Sequence, residues 1–411
     1  MELIRSNPLS ANMNLHKAFG PDKGYLANLR VRDGDAGTLR NARDLARQHL
    51  REAFKLWPQF VEQIGPLFED TVLRKSAEQS PPAPKFRMQG SWSYHTANDC
   101  QQNPPQQVDM DDGIFLPVGF LTRQGTTRPG VVAKAYFGLV EAALAPLCTK
   151  MRWKLDRSKS SCVRIVINER LHLDFALYAI EDKEFTRLTE ARAMVLAKRA
   201  QDASEDDLPD DIYTGIKSDI MLAHREEGWI ASDPRGLDIW FQEAVDNFGQ
   251  QVRRLTRDFK GMRDWKWKYG DLSSICIMAA LVQAIEELGS LDADRDDIAL
   301  SNTARRMATI FRNTVKNPVV NGGQVTHLCN GWTREFRQEV CDTFERIADT
   351  LDDAMDNTYD RNDVLAKAAR VFGNRMPDDP NLVVKMSAPA YHRSKPAEIM
   401  PAPIPIRTKS G

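Results

Sequence analysis

The spacing of apolar residues predicts helices near the start of the chain. Between residues 39 and 56 the apolar side chains recur every three or four positions, which is the spacing of one helix face. A second helical pattern covers residues 61–73 and is followed by a proline-rich breaker at residues 80–84. Residues 1–38 are rich in glycine and asparagine and show no such period. We therefore predict that they form an irregular N-terminal segment.

Alternation of apolar and polar residues predicts strands in the next part of the chain. It covers residues 108–117, 162–168 and 172–179. Residues 130–150, between the first two strands, have the spacing of a helix. A strand, a helix and two further strands in this order predict a mixed sheet with helices on one face.

After residue 229 the apolar pattern is helical throughout. Seven apolar residues step by four and three, which indicates one long amphipathic helix. They are Phe241, Val245, Phe248, Val252, Leu255, Phe259 and Met262. Another helix begins near Ser273 and Ser274, whose hydroxyl groups suit a helix start, and ends at Gly289. Further helices are predicted over residues 296–311 and 333–372.

These patterns divide the chain into two lobes and a tail. We assign residues 39–215 to an α+β lobe and residues 216–376 to a helical lobe, since 411 residues exceed one compact core. The acidic stretch 202–212 is interpreted as a solvated loop near the boundary. Residues 377–411 contain seven prolines and little periodicity, which predicts a flexible tail.

Composition and charge narrow the function classes. With 42% hydrophobic residues the chain can form a large core, so disorder of the whole chain is excluded. A formal net charge of −1 argues against a protein that coats nucleic acid by bulk charge. Six scattered cysteines without a C-x-x-C pair predict reduced thiols and no zinc site. The polar start with Pro8, and the lack of an apolar run near the ~20 residues of a membrane span, predict a soluble cytoplasmic protein.

Asp109 and Asp111 are the first candidates for chemistry. In the strand predicted over residues 108–117 they lie two residues apart and therefore share one face. Two carboxylates on one face repel each other unless a cation lies between them, and Mg²⁺ prefers such oxygen ligands. Two such ions can hold the attacking and leaving oxygens of an in-line displacement. The alternative, which Asp-x-Asp by itself favours, is an acidic turn after a strand.

Asp174 is the third candidate. In the last predicted strand it lies opposite an apolar face made of Leu171, Leu173, Phe175 and Leu177. Beside Asp109 and Asp111 it would be a third metal ligand, and it could accept the proton of an attacking hydroxyl group. Taken alone, it could equally be a buried carboxylate that hydrogen bonds satisfy.

Gly90 and Ser91 precede the carboxylate pair by about twenty residues. A loop of small residues exposes backbone N–H groups, which can bind a phosphate group. Gly-Ser alone is also ordinary loop composition. The combination of this loop with a carboxylate pair and a distant third aspartate predicts a metal-dependent phosphoryl-transfer site.

These motifs resemble the nucleotidyltransferase fold of the DNA polymerase β superfamily and, within it, the bacterial cGAS/DncV-like nucleotidyltransferases (CD-NTases). The matching motifs run in order from about residue 40 to residue 376. They are Gln89-Gly90-Ser91…Tyr94…Thr96, Asp109-Met110-Asp111-Asp112-Gly113, His172-Leu173-Asp174, Arg225-Glu226…Trp229, Arg263-Asp264, Ser273-Ser274-Ile275 and Phe372-Gly373-Asn374-Arg375. The resemblance implies a polymerase β-like core and a helical lobe that completes the nucleotide pocket.

The resemblance also implies roles for the matching positions. The loop residues Gly90 and Ser91 would hold the triphosphate of a donor nucleotide, and the three aspartates would bind two Mg²⁺ ions, with Mn²⁺ as a substitute. Lys260 matches a triphosphate-binding lysine, and Ser274 matches a phosphate-binding serine. Further pocket candidates are Gln89, Tyr94, Arg164 and Ser273.

Alternatives remain for several of these positions. From the residues alone, Lys260 could be a surface lysine whose stem covers an apolar face, and Ser273 and Ser274 could be helix caps. Residues 315–324 occupy the place where relatives line the base pocket, and they differ here, which leaves base specificity open.

The family implies an enzyme that makes a cyclic oligonucleotide second messenger from ATP and GTP, with 3′,3′-cyclic GMP-AMP as the first expectation and a cyclic AMP-AMP-GMP trinucleotide as the second. Such a messenger would be read by an effector protein in defence against phage. The competing hypotheses are transfer of a nucleotide to RNA, protein or a small molecule, and a binding module with an inactive site. The chain ends in Lys409-Ser410-Gly411, and some relatives are joined through a C-terminal glycine to target amines by a ubiquitin-like conjugation partner. We therefore predict that Gly411 is a conjugation site.

Overall fold

The computed structural model describes residues 11–57, 59, 82–122, 129–198, 213, 215–216, 219–269, 272–319 and 326–387. The helix predicted over residues 61–73, the acidic stretch 202–212 and the chain after residue 387, with Gly411, lie outside these residues. The N-terminal part contains β1 (Met13–Asn14), α1 (His16–Phe19) and α2 (Tyr25–Asn28).

The α+β lobe follows. Its elements are α3 (Asp33–Lys55), β2 (Lys85–Gln89), α4 (Gly90–Ser93), β3 (Val108–Pro117), α5 (Val118–Thr122), α6 (Pro129–Met151), β4 (Lys154–Asp156), β5 (Cys162–Val166), β6 (Leu171–Ile180), α7 (Asp182–Lys198), β7 (Met221–His224) and β8 (Gly228–Ala231). All three predicted strands and the helix between them are confirmed with small changes at their ends.

The helical lobe completes the chain. Its elements are α8 (Pro234–Phe248), α9 (Gln251–Lys266), α10 (Ser274–Leu288), α11 (Asp296–Arg312), α12 (Arg334–Asp356), α13 (Arg361–Phe372), a 3₁₀ turn (Pro380–Leu382) and β9 (Val384–Lys385). The helix predicted to end at Gly289 is confirmed, because Ser273 caps the start of α10 and Gly289 ends it with a φ of +83°.

One mixed sheet organises the α+β lobe. Its strand order is β2-β3-β6-β5-β4, and β7 and β8 continue it from the far end of β6. Strands β3 and β6 are parallel, and the other pairs are antiparallel. The sheet therefore extends to residue 231, beyond the lobe boundary that the acidic stretch had suggested.

A buried ion pair attaches α3 to strand β3 of this sheet. The Arg47 guanidinium donates to both carboxylate oxygens of Asp112 at 2.7 and 2.6 Å, and neither side chain is exposed. Asp112 follows Asp111 on β3, so its side chain lies on the opposite face of the strand. That face also carries Val108, Met110 and other apolar residues of the core.

Helix α6 corrects the expectation that no apolar segment approaches the length of a membrane span. By length and composition, Val132–Met151 is long and apolar enough to cross a membrane. In the structure 61% of this window is buried, and the helix packs against α3, β4, β5, β7 and β8. It therefore serves as a core helix of the lobe.

The expectation of an irregular N-terminal segment is wrong in one respect, because residues 11–29 form part of the core of the helical lobe. The Leu15 amide donates to Asp297 at 2.7 Å, and the Tyr25 hydroxyl donates to the Phe372 carbonyl at 2.9 Å. Strand β1 pairs with β9, which fixes residues 384–385 of the predicted tail as well. Elements of two to four residues are too short to produce a helical or strand period in the sequence.

The long amphipathic helix predicted over residues 241–262 is two helices. Gly249, with a φ of +82°, ends α8, and α9 begins two residues later. Both helices keep their apolar residues on the core side, so the period continues across the break. The pattern of apolar residues therefore did not reveal the interruption.

Candidate active site

The three predicted aspartates lie on one face of the sheet. Strands β3 and β6 are parallel and in register, with Asp111 opposite Asp174 and Asp109 opposite His172. Opposite residues of neighbouring strands share a face, so the carboxylates of Asp109, Asp111 and Asp174 point to the same side. We call these three residues the acidic edge.

Asp111 has an electrostatically unfavourable environment. Burial raises the pKa of its carboxyl well above the usual range, and the neighbouring charges of Asp109 and Asp174 raise it further. Lys260 and Arg164 act in the opposite direction but do not cancel the increase. A nearby cation would favour the ionised form of Asp111.

Arg164 holds the third carboxylate. Arg164 lies on β5, opposite Asp174 of β6. Its guanidinium donates to the two carboxylate oxygens of Asp174 at 2.7 and 2.6 Å. His172 Nε2 lies 3.8 Å from the same carboxylate. Among the described residues no three acidic, histidine or cysteine side chains are grouped closely enough to hold a metal ion. Asp174 would therefore have to leave part of its pairing with Arg164 to complete a metal site.

The donor set nevertheless fits magnesium. The acidic edge supplies carboxylate oxygens, the ligands that Mg²⁺ and Mn²⁺ prefer, and burial together with the charges of Asp109 and Asp174 raises the pKa of Asp111. Asp109 and Asp111 would hold the ion at the cavity, and Asp174 would join them from β6.

Gly90 places the Gly90-Ser91 segment against the acidic edge. It follows Gln89, which pairs with Asp111 in the sheet, and it has a φ of +64°. A Cβ atom here would lie 2.2 Å from Asp111 Oδ2, so both the backbone conformation and the close approach require glycine. The next residue, Ser91, lies in the short helix α4 and lines the cavity.

Positively charged groups also line the site. Lys260 on α9 is only 5% exposed, and its ammonium group donates to the Thr96 carbonyl at 2.8 Å. Burial, and then the nearby charge of Arg263, lower the pKa of Lys260 to about 8. The N-terminus of α10, with its partial positive charge, lies beside them at Ser273 and Ser274. We call Lys260, Arg263 and this helix start the cationic edge.

A cavity of about 690 Å³ is lined by residues of both edges. All but two of the described residues that the sequence proposed for the site line it. They are Gly90, Ser91, Tyr94, Asp109, Asp111, Arg164, Lys260, Ser273 and Ser274. The cavity wall thus carries carboxylates, cations and the start of α10, a combination that suits a nucleotide triphosphate with its metal ion.

The two exceptions are Asp174 and Gln89. Asp174 lies behind Arg164, as described above. Gln89 is buried, and it accepts a hydrogen bond from the Tyr178 hydroxyl at 3.2 Å. Its side chain extends over Gly113, where the missing side chain leaves room. Gln89 pairs with Asp111 in the sheet but is not among the residues that line the cavity, so its contact with substrate stays a prediction.

Serines 273 and 274 have different positions at the start of α10. The Ser273 hydroxyl accepts from the Cys276 amide at 3.2 Å, so it is a helix cap. The Ser274 hydroxyl accepts from Arg263 at 2.9 Å and lines the cavity. The cap interpretation is therefore confirmed for Ser273, and phosphate binding by Ser274 stays a prediction.

The sequence analysis gave no role in the site to several residues that line the cavity. Arg263 and Asp264 line the cavity beside Lys260, and Leu237 and Met278 form an apolar part of the cavity wall. Arg263 could have been found, since it follows Lys260 by three residues and so shares its helix face. Leu237 and Met278 come from different helices, and no local spacing connects them.

Residues 315–319 do not line this cavity. Val319 packs against Gly236 near the start of α8, where a Cβ atom on the glycine would lie 2.9 Å from the valine side chain. Residues 320–325 lie outside the part of the chain that the structure describes.

Comparison with protein families explains why these elements occur together. A family model described as "Cyclic GMP-AMP synthase DncV-like, nucleotidyltransferase domain" matches residues 84–178, and one described as "Cyclic GMP-AMP synthase, C-terminal domain" matches residues 249–385. Together the matches span more than half of the chain and include both edges of the cavity. The chain belongs to the DncV-like nucleotidyltransferase family. The family that the motifs indicated is thereby confirmed.

Curated relatives and solved structures agree with this assignment. The cyclic GMP-AMP synthase of Vibrio cholerae serotype O1 is 27% identical over 338 residues, covering 80% of this chain and 76% of that protein. A cyclic GMP-AMP synthase of Escherichia coli is 29% identical over 341 residues, with the same coverage of both chains. The structure of a variant of the V. cholerae di-nucleotide cyclase has a TM-score of 0.72 at 23% identity and covers 92% of this chain and 100% of that one. The predicted α+β fold with a helical lobe is confirmed.

Proposed function

We propose that this protein joins ATP and GTP through 3′–5′ phosphodiester bonds, releases pyrophosphate and closes the product into a ring. The observation that carries the proposal is that residues of an acidic edge and of a cationic edge line one cavity of about 690 Å³. In each step a ribose 3′-hydroxyl attacks the α-phosphorus of a nucleotide and forms a new P–O bond. The bond between the α-phosphorus and the oxygen that bridges the α- and β-phosphates breaks, and pyrophosphate leaves with that oxygen.

The residues divide the work by charge. Magnesium bound at the acidic edge would polarise the phosphate and stabilise the attacking and leaving oxygens. Asp174 would accept the proton of the attacking hydroxyl group. Lys260 and the amides at the start of α10 would bind the triphosphate. Gly90 and Ser91 would hold the donor phosphates against Asp111, since only a glycine permits that approach.

The product is proposed from the relatives. Both curated relatives described above carry the name cyclic GMP-AMP synthase, and one structure of the V. cholerae enzyme, with a TM-score of 0.71, contains the linear intermediate 5′ pppA(3′,5′)pG. We therefore propose 3′,3′-cyclic GMP-AMP as the first product, with a cyclic AMP-AMP-GMP trinucleotide as the alternative. Transfer to RNA is less favoured, because a net charge of −1 offers no broad basic surface.

The test is incubation of the purified protein with labelled nucleotides, singly and in pairs, with Mg²⁺ or Mn²⁺. Mass spectrometry of the phosphatase-resistant product then identifies its bases and ring size. We expect a purine cyclic dinucleotide only when ATP and GTP are both present. A product made only of pyrimidines, or label transferred to added RNA or protein, would contradict the proposal.

We also propose a cellular role in the cytoplasm, where an effector protein reads the messenger during defence against phage. Conjugation through Gly411 to a target amine would be an additional step in cells. Deletion of Gly411 should leave the turnover of the purified enzyme unchanged and remove high-mass conjugates on a blot made with the conjugation partner present. Conjugates that persist without Gly411 would show that the tail has no such role.

A further inference from the structure

Arg263 occupies the centre of the cationic edge, between Asp264 and the start of α10. Its side chain is 14% exposed and lines the cavity. Its Nε donates to Asp264 Oδ1 at 2.8 Å, and its Nη2 lies 2.8 Å from the same oxygen. Its Nη1 donates to the Ser274 hydroxyl at 2.9 Å and to the Leu272 carbonyl at 3.3 Å. The guanidinium is thus held from both sides.

These contacts use most of the guanidinium donors. An arginine has five N–H groups, and here both groups on Nη1 and the one on Nε donate to protein atoms. Nη2 lies in the ion pair with Asp264, and its two N–H groups are the ones left for a ligand. Arg263 is therefore built to hold neighbouring groups in place more than to bind a phosphate in a forked pair.

The group that it holds is the Ser274 hydroxyl. A serine hydroxyl has one proton to donate and lone pairs to accept. Because Arg263 donates to Ser274 Oγ, the serine proton points elsewhere, and within the described residues the hydroxyl donates to no protein acceptor. Ser274 lines the cavity, so its proton is available to a ligand oxygen there.

The local charge favours an anion at this position. Lys260 and Arg263 are close enough that the guanidinium lowers the pKa of the ammonium group, and the N-terminal amides of α10 add to the positive potential. Donation from a cation also makes a hydroxyl group a stronger hydrogen-bond donor, because hydrogen bonds in a chain polarise one another.

We propose that Arg263 is a positioning residue that fixes the Ser274 hydroxyl as a donor to the triphosphate of the bound nucleotide. This inference rests on the proposed function for the identity of the ligand. Arg263 would act through Ser274, so its contribution to binding would exist only while the serine hydroxyl is present.

A double-mutant cycle tests this dependence. Arg263→Lys keeps the positive charge but lacks the fork that reaches Asp264 and Ser274 together, and Ser274→Ala removes the hydroxyl group. Calorimetry measures binding of the ATP analogue with a methylene group between the α- and β-phosphates, and binding of inorganic tripolyphosphate. Ser274→Ala should weaken both roughly tenfold. Arg263→Lys should weaken both roughly fivefold in the parent but less than about twofold in the Ser274→Ala background.

Ser273→Ala is the matched control, because its hydroxyl caps the same helix and accepts from the Cys276 amide. It should lower the melting temperature without coupling to Arg263. If Arg263→Lys does not fold, Arg263→Gln replaces it in the same cycle.

Multiplicative effects of Arg263→Lys and Ser274→Ala on both probes would overturn the inference, since Arg263 would then bind phosphate on its own. The proposed function would stand in that case, because the parent still binds the probes and forms product. Failure of the parent to bind either probe would instead overturn both proposals.

Discussion

The acidic and cationic edges of the cavity bring like charges together by different routes. The acidic edge comes from two neighbouring strands, whose register places Asp111 beside Asp174. The cationic edge comes from two consecutive helices, because Lys260 and Arg263 share one face of α9 and Ser274 begins α10. The acidic edge therefore needs the pairing of strands that are far apart along the chain, whereas the cationic edge is built from one short stretch of it.

Each edge is electrostatically unfavourable by itself, and the pKa shifts at the two edges have opposite signs. Burial and like charges raise the pKa of Asp111, whereas burial and the Arg263 charge lower the pKa of Lys260 to about 8. Both shifts favour the neutral form of the group. A metal ion at the acidic edge and a triphosphate at the cationic edge would each stabilise the charged form and so reduce both pKa shifts. The arrangement therefore suits a protein that binds a metal-nucleotide complex.

The largest effect is expected from Asp111→Asn. The change removes a charge where the proposed metal binds, so pyrophosphate release should fall roughly 10³-fold or more. The melting temperature should stay equal or rise, because the repulsion from Asp109 and Asp174 is removed. Turnover near that of the parent enzyme would show that the acidic edge is assigned wrongly.

Asp112→Asn is the matched change at the next residue of the same strand. Asp112 faces the core and pairs with Arg47, and both side chains are fully buried. Removing the charge leaves an arginine without its buried counter-ion, so we expect a loss of about 3–5 kcal/mol in the free energy of unfolding. Denaturant unfolding measures this loss. If Asp112→Asn unfolds as the parent does, the contrast between the two faces of β3 is refuted.

This contrast explains what could be predicted from sequence. Alternation with a period of two identified β3 and β6 and placed Asp109 and Asp111 on one face. It could not show that Arg47, sixty-odd residues earlier, would pair with Asp112. It could not show either that Arg164 would hold both oxygens of Asp174, because that contact needs the register of β5 against β6.

The cationic edge and the N-terminal part were harder to predict for a related reason. Lys260 was found through the family resemblance, since a lysine on an apolar stripe is otherwise a common surface residue. The N-terminal residues 11–29 make core contacts with helices more than two hundred residues away, as between Leu15 and Asp297. Elements of a few residues carry no periodic signal, so only the tertiary contacts reveal their place.

The buried charge of Lys260 should favour nucleotide binding and lower the free energy of unfolding. Lys260→Met should weaken nucleotide binding roughly tenfold or more, because a buried charge facing the phosphates is lost. The same change should increase the free energy of unfolding of the nucleotide-free protein by roughly 1–3 kcal/mol at pH 7, since burial disfavours the charged lysine. Titration of nucleotide and denaturant unfolding measure the two effects.

The pH dependence gives the sign of this second effect. The pKa of Lys260 is about 8 in the folded protein, below its ordinary value. At a pH between these two values, Lys260 is mostly protonated in the unfolded chain and mostly neutral in the folded protein. The penalty is therefore fully present below pH 8 and disappears as the pH rises above it. The stability advantage of Lys260→Met should shrink over that interval, and a constant advantage would contradict the assigned shift.

The smallest effect is expected from Arg164→Lys, which tests how the acidic edge is held without a metal ion. The forked pairing of Arg164 with Asp174 uses both carboxylate oxygens, so a metal ion and Arg164 compete for Asp174. A lysine keeps the charge but loses the fork, and the affinity for Mn²⁺ without nucleotide should rise several-fold, by roughly 1 kcal/mol. Electron paramagnetic resonance of free Mn²⁺ measures this affinity. Lys260→Met is the control. It removes a nearby positive charge, but the lysine that it replaces donates to Thr96 and not to Asp174. An unchanged affinity in Arg164→Lys, with a rise in Lys260→Met, would show that charge alone and not the fork governs access of the metal to Asp174.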